Sequence, residues 1–547
     1  MQNPPRLHAI VPLLAVLAAL APLSLAATPS THAQLVQFFK EWREFQHPAM
    51  VDGVPDYSAT AMKKQYAALT GWRKRLESFD LAGWTTADKA DYNLIRAEMN
   101  GLEFDHRVLR PWAKAPFFYR TVFDSESDTP LHEGPHVYGA LDLWRYKLPL
   151  APADANFVHA KLVAIPKLLA QAKVNLAEPS HDLWTLGIWF KRGEAQTLVG
   201  LAQETAASNP EVSSAARAAA RSVDEFRAWL ETGLAKAPAG KPLGIAEYNW
   251  QLENVQLTTQ TWQSLMQAMQ RELARSLASL QLVRNRNRAL PELRLPGSLE
   301  ELNRRNDEAI GEYLSFMKRQ EIFTVPDYMN LDRLRPVKRL VAPEALDIFT
   351  NVEYRDSLPM KCHMVHWLEK QRLDHEPHPS LIRSSRPLYN IWSGRSEGFA
   401  TAWEEAMMQA GLLDARPRAQ ELIHIMTAVR AIRGIADLKF HSGEFTLEQA
   451  MKYVFETAPN GWFNPKGSTI WVDLGIYAHQ PGYGTTYLAG KLDFDKLIAD
   501  SAAAHPGQFR MRTFMDEFFS KGVVPMSLIR WEMTGKTDEA RALGLRQ

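Results

Sequence analysis

Cysteine is almost missing from this sequence: Cys362 is the only one in 547 residues. One thiol excludes an intrachain disulfide, and a chain of this length buries enough core to do without one. A lone cysteine can be a nucleophile, and Lys361 beside it would lower a thiol pKa. Its other neighbour, His363, is poorly placed to take its proton, because adjacent helical residues point about 100° apart. The plainer expectation is a small buried hydrophobe. Charge of one sign is also lacking. Lys and Arg number 63 against 62 Asp and Glu, a net charge of +1. With no long basic run and no glycine-rich phosphate loop, nothing recommends nucleic acid or an anionic membrane as partner. No H-E-x-x-H of the zinc hydrolases falls within a stretch that reads as a helix. After the first 26 residues no uncharged stretch reaches 18, so the mature chain is expected to be soluble and off the membrane.

What is present is globular: 46% hydrophobic, 23% charged, with sixteen tryptophans that read most simply as helix packing. The N-terminus has Arg6, an apolar run from Ala9 to Leu23, and a small-x-small site, Ser24-Leu25-Ala26, before Ala27. That is the pattern of a secretory signal peptide and predicts a periplasmic or secreted protein. Thr31-His32-Ala33 offers a second cleavage site. Pro12 and Pro22 weaken the alternative of a membrane anchor, since each removes a backbone donor. No cysteine lies nearby for lipid attachment.

Beyond this segment, apolar residues recur at three- and four-residue steps. The spacing predicts helices at Leu35 to Phe45, Thr85 to Asp105, Ala160 to Leu176 (kinked by Pro166), Ser213 to Leu234 and Tyr248 to Val283. Others follow at Ser298 to Met317, Pro343 to Phe349, Gly398 to Ala410 and Arg418 to Phe440. Strand-like runs are limited to "EIFTVP" from Glu321 and "STIWVDLGIY" from Ser468, which could form a small sheet beside a cleft. "LAKAPAGKPLG", Leu234 to Gly244, reads as a linker. The expected organisation is a signal peptide over 1–26, an N-terminal helical region over 27–240 and a C-terminal helical region over 241–547 carrying the cleft. The fold class is mainly α.

Chemistry concentrates in four stretches. "EYRDSLPMKCHMVHW", from Glu353, sets His363 and His366 three apart, on roughly one helical face. Two histidines without a placed third ligand make either a metal pair or hydrogen-bonded packing residues. His375 and His378 read as an exposed turn. "RSEGFATAWEEAMMQAGL", from Arg395, puts Glu397 in a first helical turn, as a cap or as a ligand or acid/base group, with Glu404 two turns on. His441 follows a helix end. Tyr487 follows a Pro-Gly turn and could polarise a carbonyl.

In order and wording these stretches resemble the bacterial family known as domain of unknown function 885. "EGFATAWE" from Glu397 resembles its E-G-W-A-L-Y-A-E, and "FHSGEFTLEQA" from Phe440 its G-I-H-x-x-G-W-T-x-E-Q-A. "QPGYGTTYLAG" from Gln480 resembles P-G-Q-A-x-x-Y-x-x-G, and "KGVVPMSLI" from Lys521 resembles G-x-V-P-L-S. The resemblance implies a large multi-helix body with a central cleft, similar in fold to gluzincin-type zinc peptidases. It also exposes a departure. When Pro359 is set against the proline of the family's H-E-x-x-P-G-H-H, Arg355 and Asp356 stand for His-Glu, and Lys361 and Cys362 for the paired histidines. The expectation is therefore no bound metal, with Arg355 pairing with Glu397 in the vacated position. Asp356, Glu397, His441 and Tyr487 are the catalytic candidates, and Arg355 and Lys361 would hold a ligand carboxylate. The alternative is zinc on His363, His366 and Glu397. Two functions remain open: a peptidase-like hydrolase acting on short peptides, and a non-catalytic protein binding a peptide or other small ligand in the same cleft.

Overall fold

The computed structural model describes residues 30–127, 129, 135–329, 334 and 339–547; the stretch read as a signal peptide lies outside them. The chain is mainly helical, and many helix starts are written locally. Thr31, Thr85, Thr261, Asp347 and Thr446 each accept a hydrogen bond from their helix's backbone, and the third helical residue answers back. Among the described residues, strands amount to two short pairs. Met50–Val51 runs antiparallel to Val54–Pro55, and Val122–Phe123 runs parallel to Leu141–Asp142.

Neither predicted strand forms. Residues 321–326 are irregular, and Thr469–His479 is a helix. Its buried residues include Ile470, Asp473, Leu474, Tyr477 and Ala478, a helical period that the β-branched composition concealed. The long helix expected from Tyr248 to Val283 is two, Ile245–Asn254 and Trp262–Arg286. Between them Leu257 takes a positive φ of 53°, and Thr261 caps a new start. Pro343 opens a short 3-10 turn, and the Asp347-capped helix Ile348–Arg355 follows it.

The pillar of the molecule is Ala419–Ser442, buried on nearly every side. It packs against Trp262–Arg286, Leu358–His363, Ser393–Gln409, Thr469–His479 and Tyr483–Ala504. Ser393–Gln409 and Tyr483–Ala504 cross at backbone contact. A Cβ on Gly398 would lie 2.3 Å from the Gly490 Cα, and one on Gly490 would lie 2.0 Å from the Gly394 carbonyl oxygen. Only glycine permits that approach, and it carries Tyr483 and Tyr487 up to Glu397. The 237–243 segment, within the predicted linker, is irregular and lines an open groove of about 830 Å³. A second cavity, of about 460 Å³, lies among the N-terminal helices and residues 388–390 and 479–481.

Candidate functional site

The segment Glu353–Trp367 is not one helix. Asp356 ends Ile348–Arg355, and Pro359, which has no N–H to continue a helix, sits in the first turn of Leu358–His363. A break at Met364 then separates His363, at the end of this short helix, from His366, in the first turn of Val365–His375. The two rings lie 5.2 Å apart, edge to face. Glu397, from the Ser393–Gln409 helix, comes between them. Its Oε2 is 3.3 Å from His366 Nε2 and 3.9 Å from His363 Nε2. His363, His366 and Glu397 each offer a ligand atom within 4.8 Å of the others, and no other such trio is found among the described residues.

Each member is held from behind. Glu404 Oε1 lies 2.9 Å from His363 Nδ1, and Ser396 Oγ lies 3.3 Å from His366 Nδ1. Tyr483 donates to Glu397 Oε1 at 2.7 Å. A carboxylate only accepts, so an Nδ1 proton directed at Glu404 leaves the His363 Nε2 lone pair facing Glu397. Burial would raise the Glu397 pKa. The His366 hydrogen bond, the two imidazoles and the Tyr483 hydroxyl outweigh it and hold the carboxyl down at about 2. Glu397 is therefore an anion throughout the working pH range.

The pillar helix supplies a polar row beside this cluster: Arg430, Arg433, Asp437 and His441, at helical spacing in an otherwise apolar stretch. Arg430 donates to both Glu404 oxygens and comes within 3.1 Å of His363 Nδ1. Arg433 donates to Asp473, to the Tyr477 hydroxyl and, at 3.4 Å, to the Tyr487 hydroxyl. Burial and the Glu397 charge push the Tyr487 phenol well up, so it stays a proton donor.

The predicted residues fall into two groups. Glu397 and Tyr487 belong to this neighbourhood, as do His363 and His366. The others are occupied elsewhere. His441 lies eleven residues from Arg430 on the same helix, about 16 Å along its axis. It donates to the Tyr477 carbonyl at 2.9 Å and borders the open groove. Asp356 is paired with Arg416. The expected Arg355–Glu397 pair does not form. Arg355 donates to Asn351 and stacks on Trp462, 4.3 Å from the ring centre. Lys361 turns into the protein, with its ammonium donating to Glu353 and to the Leu334 carbonyl. Neither cation occupies the space between the histidines and Glu397. Burial above all, with the charges of Glu404 and Asp356, raises the Cys362 thiol well above its usual value, so it is no nucleophile.

Sequence reasoning passed over Tyr483, Ser396, Arg430 and Arg433. One signal was available: two arginines, an aspartate and a histidine on one stripe of an apolar helix need buried partners.

The family described as "Bacterial protein of unknown function (DUF885)" matches residues 46–328 and 371–533. The unmatched interval contains both histidines, while Glu397, His441 and Tyr487 lie in matched sequence. Two solved structures share the fold, both described as a "putative lipoprotein", the first also as of unknown function. The one from Shewanella oneidensis has a TM-score of 0.64 at 16% identity and covers 92% of this chain and 100% of its own. The one from Colwellia psychrerythraea has a TM-score of 0.62 at 14% identity and covers 95% and 100%. No curated protein matches the chain.

Proposed function

Since the chain belongs to the DUF885 family of bacterial proteins of unknown function, we propose its role from the site itself: a zinc-dependent hydrolase of the bacterial envelope, acting on short peptides. The observation that carries this reading is the convergence of His363, His366 and Glu397. Two imidazole nitrogens and a carboxylate oxygen are the donor set of a catalytic zinc site, with a position left open. Donors about 2.1 Å from one tetrahedral zinc stand about 3.4 Å apart, and the Glu397 oxygen is 3.3 and 3.9 Å from the two Nε2 atoms. The supports behind each donor, Glu404, Ser396 and Tyr483, are those that fix tautomer and orientation in metal sites. The donors fit the ion.

Bound there, zinc would supply Lewis acidity, polarising a carbonyl and lowering the pKa of water. The chain's own part is positioning. Tyr483 holds Glu397, and Glu404, itself held by Arg430, orients His363. The Tyr487 hydroxyl, backed by Arg433, is a buried donor suited to negative charge developing on a carbonyl oxygen. A peptide substrate is what the family resemblance would imply, through the zinc-peptidase fold expected of it. An envelope location is supported by the export-type N-terminus and by the description of the structural relatives as lipoproteins. Among the described residues no helix is long and apolar enough to cross a membrane.

One observation favours a second reading, a metal- and peptide-binding protein without turnover. Asp356, the residue set against the glutamate of the family pattern, is tied to Arg416 and offers no general base. Elemental analysis of protein purified without added metal or chelator tests both. One equivalent of zinc is expected, lost in folded His366→Ala and Glu397→Gln variants, together with cleavage of a quenched fluorescent peptide library that chelator abolishes and zinc restores. Zinc without cleavage selects the second reading. Failure to bind zinc even when it is supplied would end both.

A further inference from the structure

The cavity of about 460 Å³ has a chemistry of its own, and none of His363, His366 or Glu397 lines it. Asp105 stands on its wall. This residue opens a π-helical turn, Asp105–Leu109, that widens the end of the Thr86–Phe104 helix. Such turns recur at functional sites, because the extra residue re-aims a side chain. Among the described residues the Asp105 carboxyl has no hydrogen-bond or ion-pair partner, and burial is the only influence on its pKa, lifting it to about 7. Two arginines share the wall and neither answers it: Arg43 is committed to Glu98 and to the Arg386 carbonyl, and the Arg386 guanidinium does not shift the Asp105 carboxyl.

Aromatic side chains make much of the remaining wall, among them Tyr57, Phe104, Trp112, Phe118 and Tyr389. Tyr389 is held there against a backbone preference. Its φ is +57°, a region that disfavours side chains. Its hydroxyl donates to Gln46 Oε1 at 2.8 Å, and its ring lies where a Cβ on Gly101 would be, 2.3 Å from the Tyr389 Cγ. Strain of this kind persists where the surroundings enforce it, often at ligand sites. The cavity thus joins an unpaired carboxyl to several aromatic faces, and its size falls within the ordinary range for small-molecule sites.

We propose that this cavity binds a small organic ammonium ion with an apolar or aromatic body, the ammonium group on Asp105, the body against the Tyr389 wall. A carboxylate gives a charge-assisted hydrogen bond to an ammonium, and aromatic faces attract it further. Neither attraction applies to a neutral molecule of the same shape. The site does not depend on the zinc reading.

Calorimetric titration of the full mature chain with phenethylamine, 2-phenylethanol and phenylacetate tests this. The amine is expected to bind about tenfold or more tighter than the alcohol, a difference of one decade in Kd, and the acid not at all. Asp105→Asn should remove the amine's advantage and leave alcohol binding unchanged. If that variant does not fold, titration of the wild type at pH 5.5 and pH 8 should show the amine's advantage over the alcohol growing several-fold as the Asp105 carboxyl ionises. Equal affinity for amine and alcohol, no binding of the amine at millimolar concentration, or an amine advantage indifferent to the substitution or to pH would overturn the proposal.

Discussion

A histidine's role is set by what touches its second nitrogen. His363 and His366 were visible in the sequence as a pair three apart, but the spacing alone could not separate ligands from packing residues. What the structure adds is Glu404 and Ser396 behind the two rings, and they lie on a helix some thirty to forty residues further on. The charged neighbours misled for the same reason. Arg355 and Lys361 suggested a cation filling the gap between imidazoles, because sequence order does not say which way a broken helix turns its side chains. Trp462 draws one away and Glu353 the other. Tyr483 offers a test at this scale. Tyr483→Phe removes a hydrogen bond to an ionised, buried carboxylate, a loss of about 2 kcal/mol in stability. The same change should lower zinc affinity about tenfold, as loss of an outer-shell partner does. Urea unfolding and chelator competition measure the two effects. An unchanged zinc affinity would mean that Tyr483 only packs.

Helices were the most legible elements, because capping threonines and an apolar stripe are local signals. Thr85 with Asp88 and Thr446 with Gln449 mark their starts correctly. The errors came where local signals conflict. Residues 468–477 are rich in β-branched and aromatic side chains, yet burial at helical spacing prevails, since propensity is worth tenths of a kcal/mol and burial of a side chain 1.5–3 kcal/mol. The close crossing at Gly398 and Gly490 was not legible at all, because a glycine inside a helix carries no mark of the backbone that will meet it. Gly490→Ala should expose the difference. Helix propensity would favour alanine by about 1 kcal/mol, but a methyl 2.0 Å from the Gly394 oxygen must push the helices apart. Overpacking of this kind costs about 1–3 kcal/mol or more, so a net loss near 2 kcal/mol is expected in thermal unfolding. A stabilised variant would show that the crossing is looser than the structure places it.

For the molecule as a whole, two half-buried acids tilt the pH dependence of stability. Burial lifts Asp105 and Asp493 each to about 7, against an unfolded value of about 3.9. The folded protein keeps protons that the unfolded chain releases. The stability these groups provide is complete below about pH 4 and is lost as pH rises through 7. Arg43, His47, Tyr57, Tyr389 and His479 line the Asp105 cavity, but none shifts its carboxyl, so its titration should be separable. Wild type should therefore lose stability relative to Asp105→Asn between pH 5 and pH 8 in urea unfolding at fixed ionic strength. A constant difference would place the Asp105 carboxyl in water. A last consequence concerns the pillar helix. Arg430, Arg433, Asp437 and His441 each meet a partner on another helix, so turning the pillar by one residue would swing all four by about 100° and strand them together in hydrocarbon. It behaves as a keyed shaft, unable to slip a notch without the whole lock coming apart. Its amide hydrogens should exchange with deuterium only at the rate of global opening, in the slowest class of the protein.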